Sequence, residues 1–399
     1  MQLTFEAVSE SRPGPRWQSL FQRYWPAYRA WLAQRERHDA PTPQQSRKAL
    51  RDHMPELVPT YDRLVDLAGG DPLATRLLSC HRPPAYLISC SQAALSTPTG
   101  PVLVRNYDLD PNLNEGLILH SRWTGRRVMG SSEFLWGLAD GINDAGLAVS
   151  LAFGGRRAVG DGFGIPLIVR YLLEVCDDLD DAVAALHAVP SHMAYNLTLL
   201  DRRGRSATVE VGPERPARVR QPALATNHQG TVEWAEHGRF TATVERAEHL
   251  RRRLADPATD ADSLIDAFLE TPLYNTDYGN GFGTLYTAVY RPAAGSAEWR
   301  WPGAVWRQSL TDFRDGERTV HYSAAGARVA DPAIHTDHAW QATATADLAP
   351  ALAAVRAGLA AGGCRLSPAL QAWFAEAGRG GRIPWERLGS AIASQHCGH

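Results

Sequence analysis

Between residues 15 and 80 the apolar positions recur every three to four residues, as in "RWQSLFQRYWPAYRAWLAQRERH" and "MPELVPTYDRLVDLAGGDP", which predicts a helical lead-in that stops at Gly-Gly-Asp-Pro. From 85 to 153 the period shortens to that of strands: "AYLISC", "PVLVRNYD", "GLILHSR", "FLWGLADG" and "GLAVSLAF", separated by Gly, Pro, Asn and Asp, predict a meander. Residues 165–188 return to helical spacing, with "DDLDD" supplying an acidic first turn that suits the helix dipole. A hairpin around Arg-Arg-Gly-Arg in "AYNLTLLDRRGRSATVEVGP" follows, then the short strand of "ALATNHQG", a helical stretch over 240–270, and a second hairpin in "TLYTAVYRPAAGSAEWRWPG". Strands and helices come in runs, without βαβ alternation, so the expected fold class is α+β, with antiparallel sheets and helices packed outside them around one catalytic domain. After about residue 325, "ADLAPALAAVRAGLAAGG" and "SPALQAWFAEAG" predict an Ala-rich helical tail.

Composition narrows the function classes. At 399 residues, 44 % apolar and 21 % charged, the chain has material for a substantial core, and its formal charge of −2 offers no electrostatic case for nucleic acid. The N-terminus lacks the basic and apolar regions of a secretory signal and no apolar run is long enough for a bilayer, so a cytoplasmic protein without membrane partners is expected. Cys80, Cys90, Cys176, Cys364 and Cys397 are scattered, without CxxC pairs, which argues against a disulfide framework or a structural zinc site. "HAVPSH" offers His187 and His192 but no third ligand, and the glycines of "GDGFGIP" lack Walker spacing, so neither metal nor phosphate cradling is expected and no cofactor is implied.

One cysteine has unusual company. Cys90 ends an apolar strand one hairpin away from "RNYD", and with the turn centred near Thr97-Pro98 it falls opposite Arg105, whose charge favours a thiolate. Strict alternation puts Arg105 and Asp108 on opposite faces, so both line one site only if the strand bulges or ends near Tyr107. "LADGINDAGLAVSL" is a strand, a tight turn with Asn143 at its tip, and another strand. In "LATNHQG", Asn227 either caps a strand end or aims its amide at an oxyanion, and Arg246 lies in a charged helix where solvated arginines are the default.

Taken in order, Cys90, "RNYD", "ADGINDAGL", "NLTLLDRRGRSATVEV", "TNH", the Arg246 helix and "TLYTAVYRP" resemble the N-terminal nucleophile (Ntn) hydrolases of the choloylglycine hydrolase and penicillin acyltransferase group, the linear amide C–N hydrolases or peptidase family C45. The resemblance spans about residues 50–300 and implies a four-layer αββα sandwich. It implies a propeptide-like segment 1–89, a catalytic domain 90–325 and a C-terminal extension 326–399, with self-cleavage between Ser89 and Cys90. By the same resemblance Cys90 is nucleophile and, once freed, its own base. Arg105 favours the thiolate and orients substrate, and Asp108 accepts a hydrogen bond from the Cys90 amine. The oxyanion is held by Asn143 through its backbone N–H and by Asn227 through its side chain, and Arg246 supports the site. The implied substrate is a small N-acyl compound. Tyr107, Phe134, Trp136 and His228 are assigned to substrate binding, the aromatics to an apolar acyl chain. Ser89 and Ser91 depart from the Gly and Thr common around the cysteine in the acyltransferase branch, which the long lead-in otherwise favours. Three alternatives stand beside this reading: an acyl thioester donor (coenzyme A or a carrier protein), an unprocessed ligand-binding homologue, and a papain-like Cys90–His228 pair.

Overall fold

The computed structural model describes residues 1–35, 39–280 and 282–330. The Ala-rich tail falls almost wholly outside the described residues. The chain opens with a strand that the helical reading passed over: β1 (Gln2–Glu10) buries Leu3, Phe5 and Ala7 on one face, the period-2 pattern of a half-buried strand. Four helices follow, α1 (Pro15–Gln34), α2 (Pro43–His53), α3 (Val58–Leu67) and α4 (Pro72–Ser79). Gly-Gly-Asp-Pro is a junction, not a stop: it ends α3, and the Asp71 carboxylate then caps α4 by accepting from the N–H groups of Leu73 and Ala74.

The meander expected over 85–153 divides between two sheets: β2 (Ser89–Thr97) and β3 (Gly100–Leu109) form a hairpin in one, with Cys90 near the start of a strand instead of at its end, and β4 (Leu117–Ser121), β5 (Val128–Glu133), which no predicted run covered, β6 (Gly137–Asn143) and β7 (Leu147–Phe153) form the meander in the other. Helices α5 (Ile165–Val175) and α6 (Leu179–Ala188) precede the hairpin β8 (Tyr195–Asp201) and β9 (Ser206–Val211), then β10 (Arg218–Arg220) and β11 (Leu224–Ala225). The chain continues through α7 (Ala235–Phe240), α8 (Thr243–Ala255), α9 (Ala261–Ala267), β12 (Thr276–Asp277), β13 (Phe282–Arg291), β14 (Ser296–Trp301), β15 (Ala304–Ser309), β16 (Gly316–Ser323) and β17 (Gly326–Val329).

Among the described residues the strands form two sheets. One runs β10-β9-β8-β7-β6-β5-β4-β1-β16-β17; the other runs β11-β2-β3-β13-β14-β15, with β12 against β13. Pairing is antiparallel except between β1 and β4. The sheets stack through β2 and β3 against β7 and β8, with α5 and α6 on the outside of the first and α8 and α9 on the outside of the second. The alternation of β6 makes the layering visible residue by residue. Asp140 points inward to Arg105. Its neighbour Gly141 faces α5 so closely that a Cβ there would stand 2.8 Å from Leu173 Cδ1.

The lead-in is not a loose appendage. β1 lies inside the larger sheet between β4 and β16. Trp17 Nε1 donates to the Leu135 carbonyl at 2.9 Å, and Trp136 Nε1 donates back to the Leu78 carbonyl at 2.9 Å. No helix of the described residues is long and apolar enough to cross a membrane.

Candidate active site

The hairpin register decides what surrounds Cys90. Thr97 pairs with Gly100, so the turn is Pro98-Thr99, and Cys90 lies opposite Tyr107 while Arg105 lies opposite Gln92. The expected Cys90–Arg105 pair is therefore corrected by two positions, because moving the turn centre by one residue shifts the register by two and leaves every side chain on its original face. Arg105 becomes the diagonal neighbour of Cys90 on the inner face. Its Nη2 donates to Cys90 Sγ at 3.1 Å.

Arg105 is completely buried and held from several sides. Nε donates to the Leu151 carbonyl at 3.0 Å, and Nη1 donates to Asp140 and, at 3.2 Å, to the Tyr286 hydroxyl. Tyr286 and Tyr290 donate in turn to the Asp140 carboxylate at 3.1 and 2.5 Å. The guanidinium also lies 4.4 Å from the centre of the Tyr107 ring. A buried guanidinium with this many partners is fixed in place, which is what a group that orients a sulfur requires.

The outer face of the same strand carries the second half of the cluster. β3 runs on to Leu109 without bulging, so Asp108 does face away from Arg105; the irregularity near this point belongs to β13, between Thr284 and Tyr286. Asp108 accepts from Thr284 Oγ1 at 2.7 Å and from Arg246 Nη1 at 3.5 Å. It makes no hydrogen bond to the Cys90 nitrogen. That nitrogen, an amide in the uncut chain, donates to Asn227 Oδ1 at 3.2 Å. Arg246, projecting from α8, spans the Ser89-Cys90-Ser91 segment. Nη1 donates to the Cys90 carbonyl at 2.9 Å and to Ser91 Oγ at 2.7 Å, and Nη2 to Asn227 Oδ1 at 2.8 Å and Ser89 Oγ at 3.2 Å. Ser89 Oγ donates to Asn227 Oδ1 at 2.5 Å. Asn227 Nδ2 donates to the Phe153 carbonyl at 3.1 Å.

Burial sets the protonation states. It pushes the Cys90 thiol up to about 12, with the Arg105 charge pulling the other way and Asp108 adding to the rise. Asp108 is likewise raised by burial against the opposing charge of Arg246. In the uncut chain the thiol is thus neutral at rest.

The remaining predicted residues lie as follows. Asn143 makes no hydrogen bond to Cys90, and its side chain is turned to other partners. It stands three residues beyond Asp140 on β6, about 10 Å along the strand. There its amide donates to the carbonyls of Leu173 and Cys176 at 3.0 and 2.9 Å and its Oδ1 accepts from the Leu147 N–H. The turn spends its asparagine side chain on tying β7 to the end of α5. His228 Nδ1 is shared with Thr243 Oγ1 at 2.9 Å and Thr226 Oγ1 at 3.3 Å and makes no bond to Cys90, so a Cys–His pair finds no support. Tyr107 faces Cys90 across the hairpin and its hydroxyl donates to Glu133. Phe134 joins a group of aromatic rings with Tyr28 and Tyr86. Trp136 is spent on the α4 contact already described. Among the described residues no three His, Cys, Asp or Glu side chains gather to hold a metal, and His192 bonds the Gly160 carbonyl through Nδ1 at 2.7 Å.

The family model of acyl-coenzyme A:6-aminopenicillanic acid acyl-transferase matches residues 95–305, more than half of the chain. The chain belongs to that family. The match takes in Arg105, Asp108, Asn143, Asn227 and Arg246 and begins five residues after Cys90. Among solved structures the chain is similar to a mutant of conjugated bile acid hydrolase from Clostridium perfringens (12 % identity, 59 % of this chain and 97 % of that one, TM-score 0.38). It is also similar to penicillin V acylase from Agrobacterium tumefaciens (15 %, 58 % and 90 %, 0.38). A third is the Caenorhabditis elegans ortholog of N-acylethanolamine-hydrolyzing acid amidase (17 %, 58 % and 98 %, 0.37). No curated protein sequence matches the chain.

For this acyl-transferase family member the inner face holds residues that motif reading passed over. Asp140 sits inside the quoted "ADGIND" yet only its loop attracted notice; a carboxylate in the middle of a wholly buried strand was the available signal, since such a charge needs a partner. Glu133 left no such trace, because "GSSEF" reads as an ordinary strand end.

Proposed function

We propose that the protein is a self-activating cysteine acyltransferase or amidohydrolase in which Cys90 carries the acyl group of a small N-acyl compound. The observation that carries this reading is the double grip on residue 90: Arg105 at its sulfur from one face, and Arg246 with Asn227 at its backbone from the other. A structural cysteine needs neither.

In the activating step the Cys90 sulfur bonds to the Ser89 carbonyl carbon, the Ser89–Cys90 C–N bond breaks, and the nitrogen leaves as an amine after taking up a proton. Water then adds its hydroxyl to the thioester carbon and returns a proton to sulfur, which releases residues 1–89 as a separate chain. Ser89 is accommodated in this scheme because its hydroxyl is taken up by Asn227 and Arg246. The freed α-amine, with an ordinary pKa of about 7.7–8.0, is a competent base at neutral pH, whereas a peptide nitrogen is not. In turnover the amine takes the thiol proton, the thiolate attacks the substrate carbonyl, and the Asn227 amide, turned from the Phe153 carbonyl, donates to the oxyanion. The amine leaving group takes the proton back. The acyl group then passes to water or to a second amine, the ping-pong course of a covalent catalyst. Coenzyme A in the family's description supports testing a thioester as an alternative acyl donor.

Intact-mass measurement of freshly purified protein tests the scheme. Two chains, residues 1–89 and 90–399, are expected, and Cys90→Ala is expected to remain one chain and to lose turnover with both amide and thioester donors. An active single chain, or turnover that survives Cys90→Ala, overturns it.

A further inference from the structure

Close to Cys90 lies the part-buried carboxyl group of Glu133, and near it the buried carboxyl group of Glu115. Glu133 closes β5; its Oε1 accepts from the hydroxyl of Tyr107, the residue facing Cys90. Glu115 is 3 % exposed, and its Oε1 accepts from the Tyr28 hydroxyl and from the Leu135 N–H. The second oxygen of each, Glu133 Oε2 and Glu115 Oε2, is shielded from solvent and has no hydrogen-bond partner. A shielded carboxylate oxygen without a donor is expensive.

The turn that follows Glu133 is strained. Phe134 and Leu135 both adopt left-handed backbone conformations, φ 56° and 69°, which cost non-glycine residues about 1–2 kcal/mol each. The strain brings the Phe134 N–H to the Tyr28 hydroxyl at 3.1 Å and the Leu135 N–H to Glu115 at 2.9 Å, and so ties Glu115 to the turn that begins at Glu133. Aromatic rings pack beside this turn. The Phe134 ring has Tyr86 at 5.2 Å, Tyr28 at 5.7 Å and Trp31 at 5.9 Å between ring centres.

Aromatic rings close to carboxylate oxygens that lack a donor are surroundings that an ammonium group selects, since ring quadrupoles and full charges attract it together. We propose that this box is an ammonium subsite: the substrate that acylates Cys90 carries a primary or alkylated ammonium, held between Glu115 and Glu133 while its carbonyl lies at the sulfur. The assignment rests on Cys90 being the nucleophile, and it adds a substrate class to that reading. Tyr107 joins the two parts, facing Cys90 at one end and bonding Glu133 at the other.

The test reads the subsite through Cys90 itself. Rates of modification of Cys90 by 2-aminoethyl, propyl and 2-sulfonatoethyl methanethiosulfonate are measured by peptide mass and divided by the rates for free cysteine. The cationic reagent is expected to exceed the neutral one by at least tenfold, and Glu133→Gln to cut that ratio at least fivefold. Glu115→Gln is expected to do the same, which guards against one variant failing to fold. As a second arm, 4-aminobutanoyl p-nitroanilide is expected to be turned over at least tenfold better in kcat/KM than its isostere pentanoyl p-nitroanilide. Equal cationic and neutral rates at Cys90, a preference for the sulfonate, a ratio untouched by either variant, or a Cys90 that none of the reagents reaches each overturns the subsite. The labelling ratio is independent of chain cleavage, so its failure is distinct from the single uncut active chain that overturns the proposed function.

Discussion

Glu133→Gln makes a second, purely thermodynamic test of the buried carboxyl. Burial pushes Glu133 up from 4.5 to about 7, with the Tyr107 hydroxyl and the Arg105 charge holding it from rising further. A carboxyl raised in the folded state favours folding most below its unfolded value, and that contribution is lost as pH rises through the folded value. The rise amounts to about 3 kcal/mol between about pH 5 and pH 8. Glutamine keeps the acceptor for Tyr107 but does not titrate. Its buried NH2 forfeits about 1–2 kcal/mol at every pH, so the decisive quantity is the difference between the two pH values. For 399 residues the unfolding entropy is about 0.8 kcal/mol/K. The melting temperature of Glu133→Gln relative to the parent should therefore improve by about 4 °C on going from pH 5 to pH 8. Thermal melts of both proteins at the two pH values measure it. The same offset at both, or an offset that worsens at pH 8, refutes the claim that a strained, desolvated carboxylate is held there. A variant that gains stability and loses cation preference carries the signature of a site kept at the expense of the fold.

Three further outcomes separate the roles assigned above. Arg246→Gln leaves Asp108 buried without its countercharge and should cost about 3–5 kcal/mol; in the folded fraction, intact mass should show no cut, and Arg246→Lys should restore part of it. Asn143→Ala should lower stability by about 1–3 kcal/mol through the lost bonds to Leu173, Cys176 and Leu147, while kcat per folded molecule stays within a factor of two, since alanine keeps the backbone N–H; a large fall in kcat with little change in melting temperature would show that the side chain itself serves turnover. Gly141→Ala drives a Cβ to 2.8 Å from both Leu173 Cδ1 and the Met129 carbonyl oxygen and should cost about 1–3 kcal/mol in melts with Cys90 labelling unchanged.

What was legible in the sequence follows from how local each signal is. The two hairpins β8–β9 and β13–β14 and helices α5 and α6 announced themselves through period and turn residues within one short window. The face of Arg105 was also legible, since alternation is preserved under the register error that misplaced its partner. β1 was missed although Leu3, Phe5 and Ala7 alternate, because its neighbours β4 and β16 lie more than a hundred residues away and nothing nearby marks a hairpin. The use of the Asn143 side chain was illegible for the opposite reason. "GINDAG" carries every local mark of a free loop, and only the distant end of α5 shows where its amide is used. Glu133 and Glu115 were invisible because their meaning lies in what they lack, and a missing hydrogen-bond donor has no sequence pattern.

The strand that carries Cys90 explains why two arginines are needed. Alternation sends the sulfur inward and the flanking Ser89 and Ser91 outward, so no single cation reaches both the sulfur and the backbone carbonyl of Cys90. Arg105 serves the inner face, anchored by Asp140 in the opposing sheet; Arg246 serves the outer face, anchored by Asp108 on the neighbouring strand. Each is buried and each is paired, so both charges are retained where a lone guanidinium would be prohibitively costly. The arrangement places residue 90 at the beginning of β2, where cutting the preceding bond severs no ladder pairing beyond Ser89. Segment 1–89, in turn, is bound by β1 between β4 and β16 and by the Trp17 and Trp136 indole bonds, none of which a cut at residue 89 would touch.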